Sequence, residues 1–284
     1  MAFNYDSLKR ITGSGVISST VTASDIATGN INSTILADGS VNEAKLANNS
    51  VDVGSAKVTG TTSISRGGTG RTTVGSNLQV LRTNSSANGL EFADIGLRSM
   101  QVFTGGGTWN RPSGVRYVHV QVVGGGGGGS GHGESGGAGG YSERILNVDS
   151  ISSVSVSVSG ESGGTYYAGA GGNGGGSSFG PYLSASGGYG ANRNNQHSGG
   201  LGGVGSGGNL NIYGGGGGSH HHSFGPGGRS FWGGSVAGGH PQGGHFSHNH
   251  QSHSSPGSGG RGGYFHGHRG SNGRPGMVVV TEYR

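Results

Sequence analysis

The 284 residues contain no cysteine, which excludes a disulfide framework and any thiolate metal site. Charge is scarce. Asp, Glu, Lys and Arg make up 10% of the chain, the formal net charge is +5, and no lysine follows Lys57. No basic run is long enough for a nucleic-acid tail, so no nucleic-acid partner is expected. No stretch reaches the roughly 18 apolar residues of a membrane-spanning helix, and membrane insertion is not expected. The opening "MAFNYDSLKR" has no apolar leader core, so synthesis and assembly in a cytoplasm are expected. Acids are few beyond residue 100: Glu134, Glu143, Asp149, Glu161 and Glu282. Cleaving a glycan takes two carboxylates facing each other across a cleft. Only Glu134 and Glu161 fall in loops, while Glu143, Asp149 and Glu282 read as surface residues in or beside strands. The expectation is a protein that is not an enzyme.

Glycine is the abundant residue, and it is unevenly spread. Of 71 glycines, 12 lie in residues 1–100 and 59 in residues 101–284. A one-third glycine content raises collagen, but collagen needs glycine at every third position and many prolines. Here the glycines cluster, as in "GGGGGGSG", and there are 6 prolines. Two architectures are therefore expected, meeting near Gly96–Met100.

The first carries an internal repeat. Ile11, Val16, Val21, Ile26, Ile31, Leu36, Val41, Leu46 and Val51 recur at every fifth position, a spacing that suits neither an amphipathic helix nor a half-buried strand. Such pentads cannot bury an apolar face alone. Either one chain coils into a solenoid, or several chains wind together with one residue per pentad on a shared axis. The repeats would make fewer than three solenoid coils, and the central residues are mostly β-branched, which favours the intertwined stalk; a disordered polar linker is the remaining alternative. Residues 61–100 read as a turn-rich connector, in which "NLQVLRT" and "LEFADI" form a hairpin around "NSSANG".

Beyond residue 100, "VRYVHVQVV", "YSERILNV", "SVSVSVS" and "GMVVVTEY" alternate as strands with one apolar face, and "SSFGPYLSASGG" reads as two short strands around Gly180-Pro181. A two-layer sandwich is expected, its sheet completed by the last strand after a glycine-rich excursion over 187–275. That excursion suits extended polyglycine chains packed side by side; a disordered loop is the alternative. The aromatics Tyr166, Tyr167, Tyr213, Phe231, Trp232, Tyr264 and Phe265 are taken as binding anchors at a tip. Ten of 13 histidines lie between His220 and His268. In an extended chain His248 and His250 point the same way, as do His266 and His268. One such pair from each of three chains would set six nitrogens about an axis, which suits Fe, Ni or Co. Solvated loop residues, or host contacts that charge in mild acid, are the other readings, and no cofactor is certain.

The segments "ILADGSVNEAKLANNSV" and "ISRGGTGRTTVGSNLQVLRTNSSANGLEF" resemble the shafts of bacteriophage tail fibre proteins. The later "FTGGGTWNRPSGVRYVHVQVVGGGGGG", "GGNGGGSSFGPYLSASGGYG" and "GRPGMVVVTEYR" are similar to their glycine-rich C-terminal domains. The paired histidines are similar to those on the axis of T-even long tail fibre tips. The resemblance implies an all-β homotrimeric fibre in the virion tail. Residues 1–10 would attach to a tail or baseplate protein, 11–60 form the stalk, 61–100 the hairpin collar, and 101–284 the head with its tip insertion at 187–275. The head would recognise a host cell-surface glycan or outer-membrane protein. A glycan depolymerase and a glycine-rich structural or ice-binding protein are the alternatives.

Overall fold

The structure is a computed structural model that describes residues 68–71, 73–77, 79–166, 169–192, 198–219, 225–235, 255–263 and 269–284. The chain divides into two compact units, Met1–Thr73 and Val74–Arg284. The pentad positions Ile11 to Val51 lie outside the described residues. Within the second unit all regular structure is β among the described residues, as the alternation predicts.

Strands β1 (Gln79–Thr83) and β2 (Leu90–Asp94) form the hairpin expected around "NSSANG". The remaining strands build two five-stranded antiparallel sheets. The first contains β3 (Leu97–Phe103), β5 (Tyr117–Val123), β6 (Tyr141–Asn147), β11 (Leu210–Ile212) and β12 (Met277–Tyr283), in the order β11-β6-β5-β12-β3. The second contains β4 (Gly107–Asn110), β7 (Ser153–Ser157), β8 (Ser177–Phe179), β9 (Leu183–Ala185) and β10 (Gly205–Ser206), in the order β10-β9-β8-β7-β4. Strand β3 runs through the composition break at residue 100, so the head sheet begins before the glycine-rich sequence does. The last strand slots between β5 and β3, and the first sheet closes only when the chain end arrives.

Period-two alternation places the core. Val118, Val120 and Val122 from β5, with Val278 and Val280 from β12, meet Val154, Val156, Phe179 and Leu183 from the facing sheet. Each buried valine contributes roughly 1.5–3 kcal/mol by leaving water. Trp109 is buried against Phe179 with ring centroids 5.7 Å apart. The same alternation carries Glu282 inward after Val278 and Val280, and it is completely buried. This corrects the surface reading of Glu282. Its carboxylate accepts hydrogen bonds from Trp109 Nε1 (2.8 Å), Gln101 Nε2 (2.6 Å) and the Ser99 hydroxyl. Three donors in the interior are what a buried carboxylate requires.

From the same end of the sandwich the chain makes five excursions and returns among the described residues, as ten extended arms. Residues 124–130 leave β5 and 134–140 return to β6; 160–165 and 171–175 join β7 to β8; 186–191 and 199–204 join β9 to β10. Residues 214–218 leave β11 and 225–229 return, and 257–263 lead out before 269–275 return to β12. Their hydrogen bonds repeat every third residue. Gly124, Gly127 and Ser130 donate N–H to the carbonyls of Gly140, Gly137 and Glu134. Gly125 and Gly128 donate to Gly175 and Gly172, and Gly126 and Gly129 to Arg274 and Ser271. Gly188 and Ala191, Gly260 and Gly263, and Thr165 in turn donate to the carbonyls of this arm.

A threefold repeat without internal bonds is the geometry of a polyproline-II-type helix, here built from glycine. The 124–130 arm donates only to returning, antiparallel arms and accepts only from outgoing, parallel ones, so six neighbours surround it. Arm 134–140 donates with the same period of three, again only to antiparallel arms: Ser135 and Ala138 donate to Gly218 and Gly215, Gly136 and Gly139 to Gly260 and Gly257, Gly137 and Gly140 to Tyr189 and Ser186. The expected packing of polyglycine chains is thus present, and it starts at Gly124 rather than at residue 187. Between residues 124 and 140 a positive φ occurs only at Gly133, in the turn. Glycine is needed in these arms for its missing side chain. A Cβ on Gly126, Gly127, Gly128 or Gly129 would stand 1.9–2.1 Å from a carbonyl oxygen of a neighbouring arm.

Candidate functional site

Because the arms run out and back, the described residues that flank their turns gather at the end of the bundle away from the sheets. Gly131–Gly133 joins the first pair, Tyr166–Ala170 the second and Asn192–Ser198 the third. Contacts between the flanking residues hold these turns together: Thr165 donates to Gly129, Gly263 to Ser130, and Gly225 to Gly133. Glycine gives way to larger side chains here. Tyr166 is half exposed and pairs with Arg269 across an isolated antiparallel bridge. The Arg269 guanidinium lies over the Tyr166 ring at 5.6 Å and its Nε donates to the Gly164 carbonyl at 3.0 Å. A fixed cation on an aromatic face is a ready contact for anionic or sugar groups.

Beneath these turns the support is polar and buried. Glu134 accepts from the Ser130 hydroxyl, and the Ser135 hydroxyl donates to the Gly225 carbonyl at 2.6 Å while accepting from the Gly262 N–H at 2.9 Å. Thr165 Oγ1 donates to the Gly169 carbonyl at 2.7 Å and closes the Tyr166 turn.

The other described aromatics lie elsewhere. Phe231 and Trp232 sit in a turn at the sheet end of the bundle, where the stacked rings of Phe231 and Tyr141 are 3.7 Å apart. Trp232 meets the same tyrosine edge-on at 5.9 Å. The Tyr141 hydroxyl donates to Glu143 Oε2 at 2.6 Å and accepts from Gln121 Nε2 at 2.7 Å, and His119 Nε2 lies 3.3 Å from the same carboxylate oxygen. Burial, then the bond to Glu143, raises the Tyr141 pKa above its ordinary value. The Tyr141 hydroxyl in turn holds Glu143 below the usual carboxylate range. Tyr213 follows β11 and is largely exposed.

The expected anchors therefore separate: Tyr166 with the far turns, Phe231 and Trp232 with the sheet face, and Tyr213 at the junction of sheet and bundle. Tyr167, Tyr264, Phe265, His248, His250, His266 and His268 lie outside the described residues. Among the described residues no three His, Asp or Glu side chains gather as metal ligands. The Tyr141–Glu143–Gln121–His119 cluster and Arg269 were missed from sequence. Alternation puts His119 and Gln121 on one face of β5, but the pairing of β5 with β6 that completes the cluster leaves no mark on either strand alone.

A glycine-rich β-sandwich with a polyglycine bundle grown from one end is the class these features define. The model of a glycine-rich domain family matches residues 101–283, and the chain belongs to that family. A search of curated proteins finds no match.

Proposed function

We propose that this protein is a homotrimeric phage tail fibre subunit that attaches to the tail through its N-terminal segment and recognises the host cell surface with its glycine-rich head. The observation that carries the reading is the placement of side chains on the bundle. The interior arms 124–130 and 134–140 are backbone-bonded and carry mostly glycine, while His132, Tyr166, Asn192 and Arg269 stand in or beside the turns between arms. Such a bundle carries the described ends of its turns far from the sandwich. Repeated weak contacts from three copies would supply avidity. The resemblance of residues 20–95 to fibre shafts supports the attachment role. Glycan cleavage is disfavoured by the acids: Glu134 and Glu282, two of the five beyond residue 100, are wholly buried.

The test is binding of the fluorescently labelled chain to a panel of bacterial cells. Retention on at least one strain is expected. It should be lost when Tyr166→Ala and Arg269→Ala are combined, with thermal unfolding unchanged. Binding to no strain, or binding that survives replacement of all the far turns by short Gly-Asn linkers, refutes the reading. Light scattering before and after chelator treatment addresses assembly and the histidines together. A mass near 84 kDa, three times 28.0 kDa, is expected, and loss of that mass on chelation would assign the histidines to an axial Fe, Ni or Co ion.

A further inference from the structure

Of the sixteen exposed large apolar residues among the described residues, seven lie between Val74 and Val102. The β1–β2 hairpin is a two-stranded sheet with no third strand among the described residues, an arrangement marginal in water by itself. It nevertheless exposes Val80, Leu81 and, just after it, Ile95. The next strand, β3, is an edge strand of the sandwich. Its outward row is Leu97, Met100 and Val102, which are 64%, 62% and 51% exposed. On that face they stand opposite Tyr283, Thr281 and Val279 of β12. A long edge strand with an apolar face is what proteins ordinarily blunt with charge, proline or a covering element. Here Arg98 is the one charge on the strand and it sits at the bulge.

We propose that this face is covered by the same face of other copies of the chain, so that hairpin and β3 form a collar at which the heads of the assembly meet. The inference rests on the homotrimer reading and specifies its contact. In sequence the hairpin and β3 are the first described strands of the second unit and follow the segment through which the copies are proposed to join. Charge permits a like-with-like contact. Residues 74–102 carry Arg82, Glu91, Asp94 and Arg98, a balance of zero. Arg82 pairs with Glu91 at 3.0 Å, and Asp94 is paired with Arg284. The Arg284 N–H also bonds the Gly96 carbonyl at 3.1 Å, which ties the hairpin to the end of β12 and fixes the collar to the head.

The absence of cysteine makes the test clean, because an introduced thiol is the only one. Met100→Cys and Val102→Cys are made in the full chain, with Ser155→Cys on the outer face of the other sheet as control. Native mass, thiol labelling and crosslinking by oxidation or a short bis-maleimide are then measured. A trimer in which both collar variants give covalent pairs, and the control none, is the expected result. A trimer whose collar thiols label freely and do not crosslink overturns the inference and leaves the trimer standing. A monomer with freely labelled thiols overturns both. A monomer whose collar thiols are shielded also overturns both and assigns the face to the chain's own N-terminal segment.

Discussion

Replacing Gly128 by alanine tests the bundle directly. The added Cβ would stand 2.1 Å from the Gly163 carbonyl oxygen, and ordinary contact begins at 3.4 Å, so the arms must part by 1.3 Å. Backbone atoms supply the obstacle, and no rotamer change relieves it. Around this point Gly128 donates to Gly172 at 2.8 Å, Gly172 donates to Gly163 at 2.8 Å and Ala191 donates to Gly128 at 2.9 Å. An opening of that size takes at least two of them beyond bonding distance. Each bond lost costs about 1–3 kcal/mol, so a loss of about 2–6 kcal/mol is expected, a large share of the roughly 5–15 kcal/mol that holds a domain folded. Gly163→Ala is the control. It sits across the same contact, yet no heavy atom lies within 4 Å of its Cβ position and its φ is ordinary. That change should be neutral or stabilise by about 0.4–1 kcal/mol through the unfolded state. Urea unfolding followed by tryptophan fluorescence measures both. A loss under about 1 kcal/mol for Gly128→Ala, the common cost of an arbitrary substitution, or equal losses for the two variants, would refute the packing argument.

Trp109→Phe keeps an aromatic ring against Phe179 but removes the donor to Glu282. It should cost about 1–3 kcal/mol, and adding Glu282→Gln should recover part of that in the same urea assay. Acid should weaken the head. Glu143, bonded by Tyr141, and Asp149, bonded by Arg116, have pKa values lowered from 4.5 and 3.8. Their contribution is complete above the ordinary carboxylate range. It is lost as pH falls from there through the lowered values, because the unfolded chain takes up protons first; thermal unfolding between neutral and strongly acid pH reads it. Phe231→Ala uncovers Tyr141, whose raised pKa is owed first to burial. Ultraviolet titration should show one tyrosine moving down toward its ordinary value of 10.0, and an unchanged titration would mean that Phe231 does not shield the ring.

The strands that sequence revealed are those whose apolar residues face inward. Val118, Val120 and Val122 alternate with polar neighbours and are buried as read. Strand β3 hid because its pattern is inverted: Ser99 and Gln101 turn inward to serve Glu282, and Met100 and Val102 turn out. Glu282 was misread for a related reason. A carboxylate at the end of a valine row looks like the strand reaching solvent, and its donor Trp109 is 173 residues away in sequence. Strands β10 and β11, two and three residues long, are too short to show any period. The Tyr141–Phe231 stack joins residues 90 apart with no shared motif.

The bundle was legible in kind but not in extent, and the reason bears on function. Its threefold period lives in backbone hydrogen bonds, and glycine has no side chain with which to record a period. What sequence does record is where the glycine stops. In "GGGGGGSGHGESGGAGG" the interruption at Ser130–Ser135 is the far turn. In "GGYGANRNNQHSGGLGG" the glycines stop at Gly190 and resume at Gly199, and the described flanks Asn192 and Ser198 are bridged. Since the arms are held largely by their backbones, a side chain exchanged at an exposed turn position such as Tyr166 leaves the backbone hydrogen bonds between arms in place, whereas one introduced into an interior arm meets a carbonyl oxygen at about 2 Å. The fold therefore separates interior arm positions such as Gly126–Gly129, which must stay glycine, from exposed positions on outer arms and turns, such as Gly163 and Tyr166, which are free to differ. That separation is what a surface devoted to recognition requires of its scaffold, and it places the chemistry of any such recognition in the turn sequences rather than in the fold.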